Sequence, residues 1–307
     1  MNQPIDQTTE FFENVEIPSQ SSVLTSIRRE LNKEEPSFPS ITETISQDVT
    51  ATAEILSISN SSMFGLRKQK ITTVKKALSV LGINNFVNCI LTSMMQNTLK
   101  NIKIPIEEFN NFNDHSVYVA KIAQHIAITL RNTRKIKVDH NHAYLTGLFH
   151  DCAIPIMADY FENYYDELRK PTQISPVRIE QNSFNMNHCI AGHKMANKWD
   201  LPEIVCDVIK FHHNSDISIH DDKKLKEMMG IFLLAEYFVE RLHKDNEKTP
   251  ELRGCSTISR ENSKKIFTLF RINNRILKEI KKGADEIING RSVEDDEDLE
   301  ESRQLLI

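Results

Sequence analysis

The sequence predicts an all-α protein, a helical bundle. Only 8 Gly and 10 Pro occur in 307 residues, so turn-forming residues are scarce and long ordered runs separate them. Apolar residues recur at spacings of three and four through most of the chain, the period of a helix with one buried face. Strand-like alternation of Val, Ile and Thr with polar residues is rare. The length suits one large domain or two modest ones, and an apolar share of 39% suffices for a core.

Taken in order, residues 1–13 are polar and expected to be loose. A short helix is predicted from Ser21 to Leu31, ended by the Pro-containing stretch 34–39 because Pro disfavours helix at the residue before it. Ser40 with Glu43 forms a candidate capping box. A helix from Gln47 then places Ala51, Ile55 and Ile58 on one face, and Asn60 and Gly65 bracket its exit. Thr72 or Thr73 starts the next helix, Gly82 stops it, and Asn84 or Asn85 opens another. Residues 97–112 read as an irregular connection.

The second half is more regular. Helices are predicted over His115–Arg131, His142–His150, Ile154–Arg169, Ile174–Asn185, His188–Trp199, Pro202–His213 and Lys223–His243. Residues Ser259–Asn289 read as one long helix with Ile266, Leu269, Phe270, Ile276, Leu277 and Ile280 on one side. Its stripe suits either dimerisation or packing back on the bundle. The basic loop Arg131–Lys137 and the acidic run 292–302 are candidate partner surfaces, and their simplest reading is solvated charge.

Charge and cysteine usage bound the function. A net charge of −5 and a pI near 6.1 provide no global positive field for phosphates, so a nucleic-acid partner is not expected. Cys89, Cys152, Cys189, Cys206 and Cys255 are odd in number and form no CxxC, which reads as reduced core thiols. The N-terminal stretch has neither the basic nor the apolar region of a secretory signal. No apolar run reaches the ~18 residues of a membrane span. The expectation is a soluble, cytoplasmic protein without a membrane span.

The chemistry-bearing pattern is a set of polar residues on apolar faces. His115 precedes Val119 and Ile122 by four and seven positions, on the buried stripe of its helix. His150 and Asp151 close the apolar run Tyr144–Phe149. His188 precedes Ala191, Met195 and Trp199 by three, seven and eleven, whereas His193 points away. His212 follows Val208 and Val205 by four and seven, with His213 beside it. Glu236 lies in a helix that is apolar nearly all round, where a carboxylate is costly unless paired or metal-bound. One such His is usually a satisfied core residue; five helices each aiming a His or an acid inward suit a first-row metal such as Fe, Mn or Zn. A metal-free hydrogen-bonded network, with Asp151 and Glu236 paired to protonated His, is the other reading. His125, His140, His142, His220 and His243 read as surface residues.

This order of His, His-Asp, His, His-His and acid resembles the HD superfamily of metal-dependent phosphohydrolases. The stretches from Gln47 to Leu56, from Asn60 to Gly65 and from Ile71 to Gly82 narrow the resemblance to the HDOD family of HD-related output domains. Gly147–Asp151, Asn187–His193 and Trp199–Pro202 continue it. The resemblance spans about residues 13–243 and implies an HD-like helical core over 113–243 behind an N-terminal helical subdomain over 13–112. A loose segment (1–12), a helical extension (244–291) and an acidic tail (292–307) flank them.

The family resemblance implies a bacterial signalling or regulatory output module, non-catalytic, with a signalling protein as partner and a small nucleotide as a further candidate ligand. The alternative is an active phosphohydrolase or phosphodiesterase. By resemblance, His115, His150, Asp151 and Glu236 hold one metal ion, and His188 with His212 or His213 extends the site to a second. Three departures bear on activity. Glu236 stands where HD enzymes place Asp. Cys152-Ala153-Ile154 stands where the HD-GYP relatives carry Ile-Gly-Lys. No Gly-Tyr-Pro comes after His213. Cyclic-dinucleotide hydrolysis of that type is therefore not expected.

Overall fold

The computed structural model describes residues 7–15, 22–31, 33–60, 70–99, 102–134, 136–170, 174–244 and 259–289. Gly65, Cys255, the acidic run 292–302 and the side chain of His243 lie outside them. Every regular element among the described residues is helical, as the composition predicts. The chain divides into two compact units, one over Pro18–Asn101 and one over residues 1–17 and 102–307.

The Pro18–Asn101 unit holds α2 (Ser22–Leu31), α3 (Phe38–Gln47), α4 (Val49–Asn60) and α5 (Val74–Leu99). The expected cap at Ser40 is corrected: Ser37 is the N-cap, and its hydroxyl accepts from the Ser40 amide. Pro39 sits in the first turn, where its missing N–H is harmless. Asp48 adopts an extended conformation between α3 and α4, and its carboxylate accepts from Ala51 N at 2.7 Å. Gln47 therefore ends one helix rather than starting the next. Ala51, Ile55 and Ile58 are buried as their spacing requires. Thr73 Oγ1 accepts from Lys76 N at the start of α5. Gly82, at φ 75° and ψ 169°, breaks α5 into the two expected halves, a conformation that glycine adopts without strain.

The other unit begins with α1 (Gln7–Asn14) in place of the expected loose segment. Phe11 explains the order: it is buried and stacks on Phe161 at 5.6 Å, with Tyr160 edge-on. Burying such a ring contributes roughly 1.5–3 kcal/mol. Two long helices form the core, α6 (Ile106–Arg134) and α13 (Lys223–Lys244). Val119, Ile122, Ala123, Ile126 and Leu130 of α6 meet the apolar face of α13 around Phe232. Thus 106–112 is helical rather than irregular, and Arg131–Arg134 form the last turn of α6 rather than a loop.

Between these helices run α7 (His140–Phe149), α8 (Ile154–Tyr160), α9 (Tyr164–Arg169), α10 (Pro176–Phe184), α11 (His188–Lys198) and α12 (Glu203–Phe211). The single helix expected over 154–169 is two, because Phe161 is extended and Asn163 is left-handed at φ 63°. A Cβ on Gly147 of α7 would lie 2.5 Å from the backbone of Ala120 in α6, so only glycine permits this helix crossing.

The expected long C-terminal helix is also two, α14 (Arg260–Phe270) and α15 (Asn274–Asn289), separated by Arg271 at φ 49°. The turn lets Ile266, Phe270, Ile276 and Ile280 all bury in the same core as α6 and α13, so the apolar stripe packs back on the bundle. Among the described residues no helix is long and apolar enough to cross a membrane. Cys89, Cys152, Cys189 and Cys206 are buried and in no disulfide, as expected of core thiols.

Candidate metal centre

The site is assembled largely from helix ends. His150 caps the C-terminus of α7, and Asp151 comes next in a tight turn closed by Cys152 N to Phe149 O and Ile154 N to Asp151 O. His188 is the first residue of α11, whose N-cap Asn187 accepts from Ile190 N. His212 caps the C-terminus of α12, with His213 next in the chain. His115 and Glu236 come from the middle of α6 and α13. All seven residues singled out from the sequence therefore belong to one cluster.

Two groups of donors share Asp151. On one side, His115 Nε2 and His150 Nε2 lie 3.3 and 3.4 Å from Glu236 Oε1, and His150 Nε2 lies 3.1 Å from Asp151 Oδ2. On the other, His212 Nε2 and His188 Nε2 lie 3.2 and 3.5 Å from Asp151 Oδ1. His188 Nε2 is also 3.2 Å from His212 Nε2 and 2.9 Å from His213 Nε2. Phe232 backs the rings of His150 and His212 at 5.1 and 5.7 Å, an apolar wall that strengthens the local electrostatics. The side chains of His115 and Asp151 keep 16% and 13% of their exposure, so the cluster is reachable from outside.

Which nitrogen faces inward is set by the outer partners. His150 Nδ1 lies 2.8 Å from Gly147 O, and His212 Nδ1 lies 2.7 Å from Ile209 O. A carbonyl only accepts, so each Nδ1 carries a proton, and each ring, when it carries no second one, turns an Nε2 lone pair to the centre. His188 Nδ1 donates to Glu180, 2.7 and 2.8 Å from its two carboxylate oxygens. Fixing the outer nitrogen in this way orients an imidazole toward a metal and raises its basicity. Nε2 atoms about 3 Å apart repel unless a cation, proton or metal, lies among them. Asp151 Oδ1 is buried and is not aligned for a hydrogen bond, an arrangement that costs free energy unless a cation completes it. The donor set fits a divalent metal.

The electrostatics reflect this crowding. Burial pushes the Asp151 carboxyl up, but the rings of His150, His212 and His188 together more than reverse this and hold it well below the usual range. Burial likewise opposes the charge on Glu236, yet His115 leaves it lowered. His188 is shifted well upward because Glu180 and Cys189 together outweigh burial. His212 is pushed up to about 10, with Cys189 and Asp151 outweighing burial. His213 goes far down, through burial and then the charge on His212 and His188. In the absence of metal the cluster therefore holds protons where a metal would bind.

Two participants are not evident from sequence pattern as read above. Glu180 of α10 is fully buried and also accepts from the His188 amide and the Tyr164 hydroxyl. A signal for it exists: it stands three after Val177 and four before Phe184, an acid on an apolar stripe. Cys189 is expected to be a reduced core thiol, and its Sγ lies 3.7 Å from His188 Nε2. Burial pushes this thiol up, and His212 and His188 pull it down to about 6. Among the histidines expected at the surface, His220 is buried against the Phe211 ring at 5.1 Å and His125 is half-buried against Glu279 O. Both pack with apolar or backbone neighbours apart from the cluster. His193 stays outside it as expected, its Nδ1 near Cys206 O.

An all-helical core with His and Asp donors at these helix ends defines an HD-like protein. The HDOD domain family matches residues 17–215, and the chain belongs to the HDOD family. It is 23% identical over 202 residues to an uncharacterized protein from Treponema pallidum (strain Nichols), covering 65% of this chain; the chain spans 38% of that relative's length. Among solved structures, an HDOD domain protein with unknown function from Geobacter sulfurreducens superposes with a TM-score of 0.68 at 20% identity, over 92% of this chain and 97% of that one. A candidate phosphohydrolase from Shewanella amazonensis SB2B gives 0.61 at 13% identity, over 99% and 98%. A candidate signal-transduction protein from Marinobacter aquaeolei VT8 gives 0.65 at 13% identity, over 98% and 65%. At these identities the likeness establishes the fold.

Proposed function

We propose that this chain is a regulatory output module of the HDOD type, cytoplasmic and non-catalytic, whose HD-like core over 113–243 binds divalent metal. His115, His150, Asp151 and Glu236 hold one ion; His188, His212 and His213, sharing Asp151, hold a second. Imidazole and carboxylate donors suit Fe, Mn or Zn. The observation that carries the reading is the convergence of Nε2 atoms whose Nδ1 positions are already anchored. A divalent cation there supplies Lewis acidity and charge neutralisation. Metal occupancy sets the arrangement of α7, α11 and α12, and a signalling protein reads that arrangement.

The three residues after Asp151 favour the regulatory side. Cys152, Ala153 and Ile154 are buried and apolar, where the hydrolytic HD-GYP relatives carry a Lys able to meet phosphate. The second reading, a phosphohydrolase acting on a nucleotide or phosphodiester, rests on the completeness of the donor set. In that case the longer Glu236 reaches one methylene further into the centre than an Asp would.

The test is to purify the protein without chelator and measure bound metal by mass spectrometry in the wild type and in His150→Ala. Expected are near-stoichiometric metal in the wild type, a clear loss in the variant, and no release of phosphate or mononucleotide from nucleotides and cyclic dinucleotides. Metal content that is low and indifferent to His150→Ala would remove the metal reading. Turnover by the metal-loaded protein, lost in His150→Ala, would move the assignment to the phosphohydrolase.

A further inference from the structure

Cys189 occupies a position that the imidazoles alone do not explain. It is the second residue of α11, directly after His188, and the thiol is buried. One ligand atom from each of His188, Cys189, His212 and His213 lies within 4.8 Å of all the others. For a tetrahedral zinc ion, bond lengths near 2.05 Å to nitrogen and 2.3 Å to sulfur give edges of about 3.3 Å between nitrogens and about 3.5 Å from nitrogen to sulfur. From His188 Nε2, the distances are 3.2 Å to His212 Nε2, 2.9 Å to His213 Nε2 and 3.7 Å to Cys189 Sγ. These three edges match the zinc tetrahedron to within about 0.4 Å.

We infer that Cys189 is a thiolate ligand to the ion held by His188, His212 and His213, making this half of the centre a His3Cys site selective for zinc. The inference rests on the metal reading above and deepens it. On binding, a metal–sulfur bond forms and the Cys189 S–H bond breaks, with the proton passing to solvent. Soft sulfur disfavours magnesium and manganese, which prefer oxygen. Asp151 Oδ1, shared with the other half, stands beside these four donors, so the shell is filled by the chain itself, as in structural zinc sites, whereas catalytic zinc keeps a position open. The other buried thiols of the described residues lack this setting: Cys89 Sγ accepts from Ser59 Oγ, Cys206 Sγ contacts Leu201 O, and Cys152 packs beneath Gly192.

The experiment uses cobalt(II) as the probe on metal-free, full-length protein. Expected in the wild type are visible d–d bands of tetrahedral cobalt and a near-ultraviolet thiolate-to-cobalt charge-transfer band. Cys189→Ser should lose the charge-transfer band, keep d–d absorption and bind zinc at least roughly tenfold more weakly. Cys152→Ser should retain both bands. A wild-type spectrum with d–d bands but no charge-transfer band would overturn the sulfur ligand and leave the metal reading standing. Persistence of the charge-transfer band in Cys189→Ser would also overturn it. Absence of any cobalt or zinc binding would remove the metal reading itself, and this inference with it.

Discussion

Replacing Glu180 by Gln removes one negative charge from the centre while leaving its shape. Glu180 is fully buried, and its Oε2 accepts from His188 Nδ1 at 2.7 Å and from His188 N at 3.0 Å. Oε1 accepts from the Tyr164 hydroxyl and also lies 2.8 Å from His188 Nδ1. A Gln can keep its oxygen at the Oε2 position and turn its amide to Tyr164, whose hydroxyl rotates to accept. The side-chain shape is kept, while charge assistance and the second oxygen beside Nδ1 are lost. Charge-assisted hydrogen bonds are about twice as strong as neutral ones, so the change should cost roughly 1–3 kcal/mol of stability. For a unit of this size that is roughly a 2–12 °C fall in Tm.

The larger effect should be on metal. Without the carboxylate, His188 Nε2 is a weaker donor, and loss of such an outer partner typically lowers affinity 10–100-fold. The assay is zinc competition against a chromophoric chelator beside thermal denaturation. Glu180→Ala, which abandons three buried donors, should lose about 3–5 kcal/mol. Tyr164→Phe removes one donor and leaves His188 anchored, so its zinc affinity should stay within about twofold of the wild type. Wild-type zinc affinity and Tm in Glu180→Gln, or an equal affinity loss in Tyr164→Phe, would refute the reasoning.

Packing and protonation each offer another test. Gly147→Ala drives a methyl into the α6 backbone, so it should destabilise by about 3 kcal/mol or more, read as a lower urea midpoint. In the metal-free chain His212, pushed up to about 10, holds a proton at neutral pH that zinc must displace. Zinc affinity should therefore rise with pH, and calorimetry at pH 7 in buffers of different ionisation heat should show net proton release; a buffer-independent heat would contradict this.

How much is legible in the sequence depends on whether the signal is local. The inward aim of His115, His188 and His212 comes from spacing alone, because neighbours at three, four and seven positions define a buried face. Gly82 announces its break, since a residue free to take positive φ is a recognisable stop. Arg271 gives no such notice: a long side chain in the left-handed region is held there by the burial of Phe270 and Ile276 on either side, a tertiary demand absent from local pattern. The order of α1 is hidden likewise, because Phe11 is fixed by aromatic partners about 150 positions away. Glu180 is legible in principle from its stripe. Its pairing with His188, reached across the turn between α10 and α11, is not.

Asp151 places one oxygen toward each half of the centre. A carboxylate divided in this way makes the two halves thermodynamically linked. A cation that draws on Oδ2 withdraws electron density from Oδ1, so filling either half changes the free energy of filling the other by the same amount. On the two-ion reading proposed above, the response to metal would be a graded series of empty, singly filled and doubly filled states, with the single side chain between α7 and α8 setting the spacing of the steps.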